Sequence, residues 1–189
     1  MRRRALLPLA VLVVAGCGID PQSAPEDIAI SPIPAVTSEP TAGTAGPEVT
    51  LWFLADERLT PVTRPASEST PATALELLAE GPDPEEADAG LTTAVARQPF
   101  TVDDPDADGV LTVEVTRTFS SVSGDDQLRE VAQVVWTATE FDAVDAVRFA
   151  TEGEALEVPT DLGLSDEPVD RDDYASLAPA DGARATPSG

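Results

Sequence analysis

Histidine and lysine are missing from this chain, and cysteine and methionine occur once each. Without imidazole there is no Ser-His-Asp or Cys-His dyad, no histidine general base and no histidine-ligated zinc or iron. Cys17 is the single thiol, so no disulfide can form within the chain. Any catalysis falls to carboxylates, Ser/Thr hydroxyls, Tyr174 or arginines. Basic charge is scarce too: 11 basic residues, all arginine, stand against 35 Asp+Glu, for a formal net charge of −24. The arginines beyond residue 4 do not cluster, so no basic stripe exists for a phosphate backbone and nucleic acid is excluded as a partner. The bland account of the acidity is a soluble, solvated face; a cationic partner or divalent ions are the alternative. The absence of lysine reads as genome composition.

What is present begins at the N-terminus. Arg2, Arg3 and Arg4 precede a 12-residue apolar stretch, Ala5 to Gly16, too short to span about 30 Å of hydrocarbon as a helix. It reads as a removable signal ending in Val14-Ala15-Gly16-Cys17, a lipobox. The segment resembles bacterial lipoprotein signals, in which a diacylglyceryl group joins the cysteine sulfur and cleavage makes that cysteine the first mature residue. The alternative is a non-lipidated secretory signal with a chance cysteine, or a core thiol, but core thiols do not sit between an apolar signal and a proline-rich segment. Two acyl chains, at about 0.8 kcal/mol per buried methylene, anchor stably where one binds marginally. Lipidation at Cys17 therefore places the mature protein on the outer face of the cytoplasmic membrane, with the membrane as its first partner.

Four segments follow from composition. Residues 1–16 are the signal. Residues 17–47 form a Pro/Ala/Ser/Thr-rich tether with prolines at 21, 25, 32, 34, 40 and 47, reaching roughly 30 to 90 Å between coil and polyproline limits. Residues 48–179 form one domain, and 180–189 a polar tail. The isoleucines at 28, 30 and 33 are the tether's apolar cluster and read as incidental, a transient partner motif being the other option.

Within the domain, Val49 to Leu54 predicts a strand buried on at least one face. Thr70 caps a helix whose first residue is Pro71, whose apolar stripe is Ala74, Leu75, Leu77 and Leu78, and which Gly81-Pro82 ends. Asp83 to Ala89 reads as an acidic turn. A strand near Phe100 to Val102 and an alternating strand from Val110 to Thr116 are joined by a hairpin connection, Asp103 to Gly109. Ser123 or Asp125 caps a longer helix with Asp125 and Asp126 at its positive end; Leu128, Val131, Ala132, Val135, Trp136 and Thr139 lie on one side and the helix runs to Phe141. Val144 to Phe149 and Ala155 to Val158 predict the last strands. The pattern is β-α-β-β-α-β, an α+β domain with two helices packed on one face of a small mixed or antiparallel sheet.

The segment Ala132 to Phe141 with Val144, Val147, Phe149 and Gly153 resembles the second-helix signature of the GerMN domain, named from spore-germination proteins. Leu75, Leu78, Gly81-Pro82 and Gly90-Leu91 resemble its first-helix block, so the likeness runs from about Val49 to Val158. The resemblance implies an extracytoplasmic module, common on lipoproteins, that serves envelope assembly or protein interaction in sporulation and germination, with an envelope protein as partner. It implies no cofactor and supplies no catalytic residue.

The sharpest local motif is Asp104-Pro105-Asp106-Ala107-Asp108-Gly109. Carboxylates at alternating positions with glycine sixth open a calcium loop. The twelfth position, which should supply a bidentate glutamate, is Val115, and Glu114 falls one residue early; an acidic hairpin turn is the plainer account of Asp104, Asp106 and Asp108. The pairs Glu85/Glu86, Asp125/Asp126 and Asp172/Asp173 could serve acid/base hydrolysis but recur by chance among so many acids. Trp52 and Trp136 read as core, and Arg171 to Tyr174 as docking the tail onto the domain through Tyr174. Three functions follow: a non-catalytic interaction lipoprotein, a solute- or calcium-binding sensor lipoprotein, and a carboxylate-based wall-glycan hydrolase.

Overall fold

The structure is a computed structural model that describes residues 46–121 and 123–179, all within one compact unit. Cys17, the signal, the tether up to residue 45 and the tail from 180 lie outside the described residues.

The domain opens with a hairpin. Strands β1 (Glu48–Ala55) and β2 (Arg58–Pro65) pair antiparallel from Glu48↔Pro65 to Ala55↔Arg58. Asp56 and Glu57 make the two-residue turn with φ of 48° and 65°. Positive φ at both turn residues matches the right-handed twist of the two strands, an arrangement that usually selects Asn or Gly. The sequence reading missed β2 because Pro61 and Pro65 argue against a strand. Both are tolerated because they face Trp52 and Glu48 at positions whose amides point away from β1, along the sheet's outer edge.

Helix α1 (Pro71–Glu80) follows the expected rules. Thr70 Oγ1 accepts from the Thr73 N–H at 3.2 Å, and Gly81, at φ 84°, closes the helix by donating to the Leu78 carbonyl at 3.1 Å. The acidic stretch expected as a turn is instead a short helix, α2 (Pro84–Asp88). Asp83 accepts from the Glu85 and Glu86 N–H groups while Glu86 accepts from the Asp83 N–H at 2.8 Å, a reciprocal cap that costs no apolar burial.

Strands β3 (Thr101–Val102) and β4 (Val110–Glu114) pair antiparallel across the expected connection. Helix α3 (Asp125–Ala138) then carries the chain to β5 (Ala146–Thr151), which lies parallel to β4 from Val110↔Ala146 to Glu114↔Ala150. With β6 (Glu154–Ala155) the order is β3-β4-β5-β6 in one mixed sheet. Strands β7 (Val158–Thr160) and β8 (Gly163–Ser165) form a separate hairpin, and a 3₁₀ segment, Arg171–Leu177, ends the domain.

The α+β class and the two packed helices stand, while the strands divide into three sheets rather than one. Two boundaries of α3 differ from the expectation. Its N-cap is Gly124, at φ 72° and without a side-chain cap, rather than Ser123 or Asp125; Asp125 is already helical. The helix stops at Ala138, and Thr139 to Phe141 form a closing turn. Both helices pack on β1 and on each other, around a core that includes Leu51, Phe53, Leu75, Leu78, Leu111, Val113, Val147 and Phe149. Each such side chain contributes roughly 1.5–3 kcal/mol by leaving water. Phe119 stacks on Phe149 at 5.5 Å between ring centroids and meets Phe100 edge-on at 6.4 Å. Among the described residues no helix is long and apolar enough to cross a membrane.

Candidate functional site

The acidic loop Asp104 to Gly109 turns between β3 and β4. One Asp106 carboxylate oxygen accepts from the Asp108 N–H at 2.9 Å and the Val110 N–H at 3.0 Å, so Asp106 shapes the turn from within. Gly109 sits at φ 73° and a Cβ there would run into the Asp145 carboxylate, which is why glycine holds that position. Asp104 and Asp108 are exposed. Among the described residues no three carboxylates, cysteines or histidines are grouped so as to hold a metal ion.

The paired carboxylates separate into individual duties. Glu86 accepts the Arg64 guanidinium, one contact being 3.0 Å from Nε, while Arg64 also donates to the Gly81 carbonyl and lies 5.0 Å over the Phe53 ring. The Arg64 hydrogen bond holds the Glu86 carboxyl below its ordinary range against the opposing effect of burial. Asp126 pairs with Arg129 at 3.0 Å. Asp173 accepts from the Asp170 N–H, and Asp170 from the Asp172 N–H, which starts the 3₁₀ segment.

The polar centre of the domain is a stripe the sequence reading missed. Every residue of α3 from Glu130 to Ala138 is buried, including Glu130, Gln133 and Thr137. Gln133 Oε1 accepts from the Ala94 N–H at 2.7 Å and the Thr93 hydroxyl at 3.3 Å, and its Nε2 donates to the Trp52 carbonyl at 2.8 Å. Thr137 Oγ1 accepts from the Trp52 N–H at 3.0 Å. The free edge of β1 is therefore satisfied by helix side chains at Trp52 and by a bridge to Thr92 at Leu54. The available signal was the placing of Gln133 and Thr137, four apart, inside the apolar run Val131 to Ala138.

Glu130 continues the stripe. Its Oε1 accepts from the Ala96 N–H at 3.4 Å and its Oε2 has no partner. Burial pushes its carboxyl up to about 7, with the Ala96 N–H acting the other way. Near this end of α3 lies an open recess of about 470 Å³ lined by Leu54, Glu57, Thr92, Thr93, Ala94, Asp126 and Arg129. Its charged members are engaged with one another, since Arg129 bonds both Glu57, at 2.9 Å, and Asp126.

At the other end of α3 the two tryptophans meet. Trp52 and Trp136 are 4.7 Å apart, edge to face, and both are buried. Arg171 covers them at 4.9 Å from Trp136 and 5.7 Å from Trp52, and donates to the Trp136 carbonyl, Thr139 Oγ1 and Glu140. A cation over the carbonyl end of a helix is also favoured by the helix dipole. Tyr174, in the same 3₁₀ segment as Arg171, is fully buried, and the tail it is expected to dock lies outside the described residues; burial first, then Asp173, Asp161 and Asp170, raises its phenol.

The order of strands and helices and their caps define a small α+β module. The family model Germane, described as sporulation and spore germination, matches residues 50–157. The chain belongs to this family, which is a sporulation and germination family and not a known enzyme class. Among solved structures it is similar to the tandem GerMN domains of the sporulation protein GerM from Bacillus subtilis, at 25% identity and a TM-score of 0.51. That match covers 66% of this chain and 45% of the other, so the chain spans less than half of the tandem protein. It is also similar to the first GerMN domain alone, at 23% identity and a TM-score of 0.51, covering 66% of this chain and 95% of that one. No curated protein matches the chain.

Proposed function

We propose that the mature protein is a non-catalytic lipoprotein, anchored through Cys17 to the outer face of the cytoplasmic membrane, that presents its GerMN-type domain to an envelope protein. Its work belongs to envelope assembly or to a process related to sporulation or germination. The observation that carries this reading is the lipobox at residues 14–17, set 30 residues ahead of the tether's end and followed by a Germane domain from residue 50. The sporulation protein of B. subtilis supplies the process by likeness. The non-catalytic reading is supported by the carboxylates themselves: Glu86, Glu140, Asp106, Asp161 and Asp170 each hold the fold by a hydrogen bond to a named partner.

Metabolic labelling with radioactive palmitate tests the anchor. The wild-type chain should take up label and migrate as a processed membrane species, while Cys17→Ser should take up none and keep residues 1–16. Equal labelling and cleavage of the two would overturn the anchor.

A further inference from the structure

The β7–β8 hairpin lies beyond residue 157, where the family match ends, and it is held firmly. Val158 and Val169 are buried on either side of it, and β7 packs against α3. At its tip the Asp161 N–H donates to the Asp173 carbonyl at 2.9 Å. The Asp161 carboxylate accepts from the Ser176 N–H at 2.8 Å and hydroxyl at 2.5 Å. Thr160 Oγ1 accepts from the Leu162 N–H and donates to the Gly163 carbonyl, which fixes the turn itself. On this fixed turn Leu162 is 95% exposed and Leu164 69% exposed; among the described residues they are the two exposed large hydrophobic side chains.

Scattered exposed leucines are ordinary, but two on one rigid hairpin form a preorganised apolar knob. The charge around them is predominantly negative; the exposed Arg58, held on the Ser176 and Ala178 carbonyls, stands beside the contact of Ser176 with Asp161. Asp161, Asp166, Glu167, Asp170 and Asp172 are exposed, and the arginine of this stretch, Arg171, is turned onto Glu140 and the tryptophans. Such a rim repels a second copy of itself and an anionic lipid surface, and attracts a cationic one.

We propose that Leu162 and Leu164 are the docking knob of this domain, and that its partner is a protein offering an apolar cleft rimmed by lysine or arginine. The proposal rests on the interaction-module reading and names its surface.

The test is photo-crosslinking of the full-length protein in its own envelope, with the reactive residue at position 162 or 164, and at position 148, exposed on the mixed sheet, as control. Positions 162 and 164 should give one discrete protein adduct that 148 does not give. The joined partner peptide should hold apolar residues flanked by Lys or Arg, and adduct yield should fall about fivefold when salt is raised from about 0.05 to 0.5 M. Leu164→Asp should lower the adduct at 162 about tenfold. Because the Leu164 side chain is exposed, melting of that variant should match the wild type, which separates lost docking from lost folding. An adduct with lipid, with a second copy, or with an uncharged surface overturns the proposal. Adducts at 148 or other exposed positions but not at 162 and 164 overturn the knob and leave the interaction module standing; adducts from no position of an exposed panel overturn both.

Discussion

Strand β1 meets main chain along one edge and, along the other, two helix side chains and a single backbone bridge, whereas β5 meets main chain on both. β5 lies between β4 on one side and, on the other, β6, a Leu156 N–H donating to the Phe149 carbonyl, and the two-bond bridge to Val169. β1 has β2 on one side, but its other edge is met by Gln133, Thr137 and the lone bridge at Thr92. Backbone ladders are indifferent to most side-chain changes, because every residue but proline carries the same groups. An edge closed by side chains is sequence-dependent, so the integrity of β1 is written into α3.

Gln133→Leu should have the largest effect. It leaves the half-buried Ala94 N–H and the buried Trp52 carbonyl without partners, a loss of about 3 kcal/mol at roughly 1–3 kcal/mol per group. Thermal unfolding should shift down by roughly 10 °C. A loss below about 1 kcal/mol would mean that water reaches this edge, and the contrast with β5 would dissolve.

Glu130→Gln sharpens the comparison by pH. The Glu130 carboxyl is raised from 4.5 to about 7 in the folded chain, so the folded state holds a proton that the unfolded state releases first. That favours folding fully below about pH 4.5, and the benefit is lost as pH rises through about 7, a difference of about 3 kcal/mol. The amide of the variant keeps an acceptor for the Ala96 N–H and carries no charge. Denaturant titrations from pH 4 to 8 should therefore show a shallower fall for Glu130→Gln than for the wild type, and parallel curves would sink the assignment. The smallest effect is expected on β5, where Arg148→Ala removes an exposed side chain from a strand held by main chain. Its stability should lie within about 0.5 kcal/mol of the wild type by chemical denaturation.

The same contrast decides what the sequence could tell. Val49 to Leu54, the Thr70-Pro71 start of α1 with its Gly81 stop, and the alternation at Val110 to Thr116 are local patterns, and local patterns survive folding. β2 was hidden because prolines weigh against strands unless the partner's edge is known, and α2 because a five-residue helix has no periodicity to read. The Gly124 cap was hidden by two better capping residues beside it. Gln133 and Thr137 sit in the part of α3 that is buried on all sides, where amphipathic reasoning assigns polar residues to solvent. The role of Arg171 over the tryptophans needed three elements brought together from 52, 136 and 171. The Asp104 to Gly109 motif was legible as a turn, since the residues that shape it are consecutive.

The seating of β1 also has a mechanical side. The chain enters the domain at Pro47, whose carbonyl accepts the Ala66 N–H at 2.8 Å, and runs directly into Glu48 and the strand. A pull on the residues ahead of Pro47 acts along the strand axis, across hydrogen bonds that stand perpendicular to it. The bonds to β2, the Thr92 bridge and the Gln133 and Thr137 contacts share such a load in shear, so they must yield together and not one by one. The strand at the entrance of the domain is thereby built as a rivet, gripped by β2 along its length and from the other side at Trp52 and Leu54.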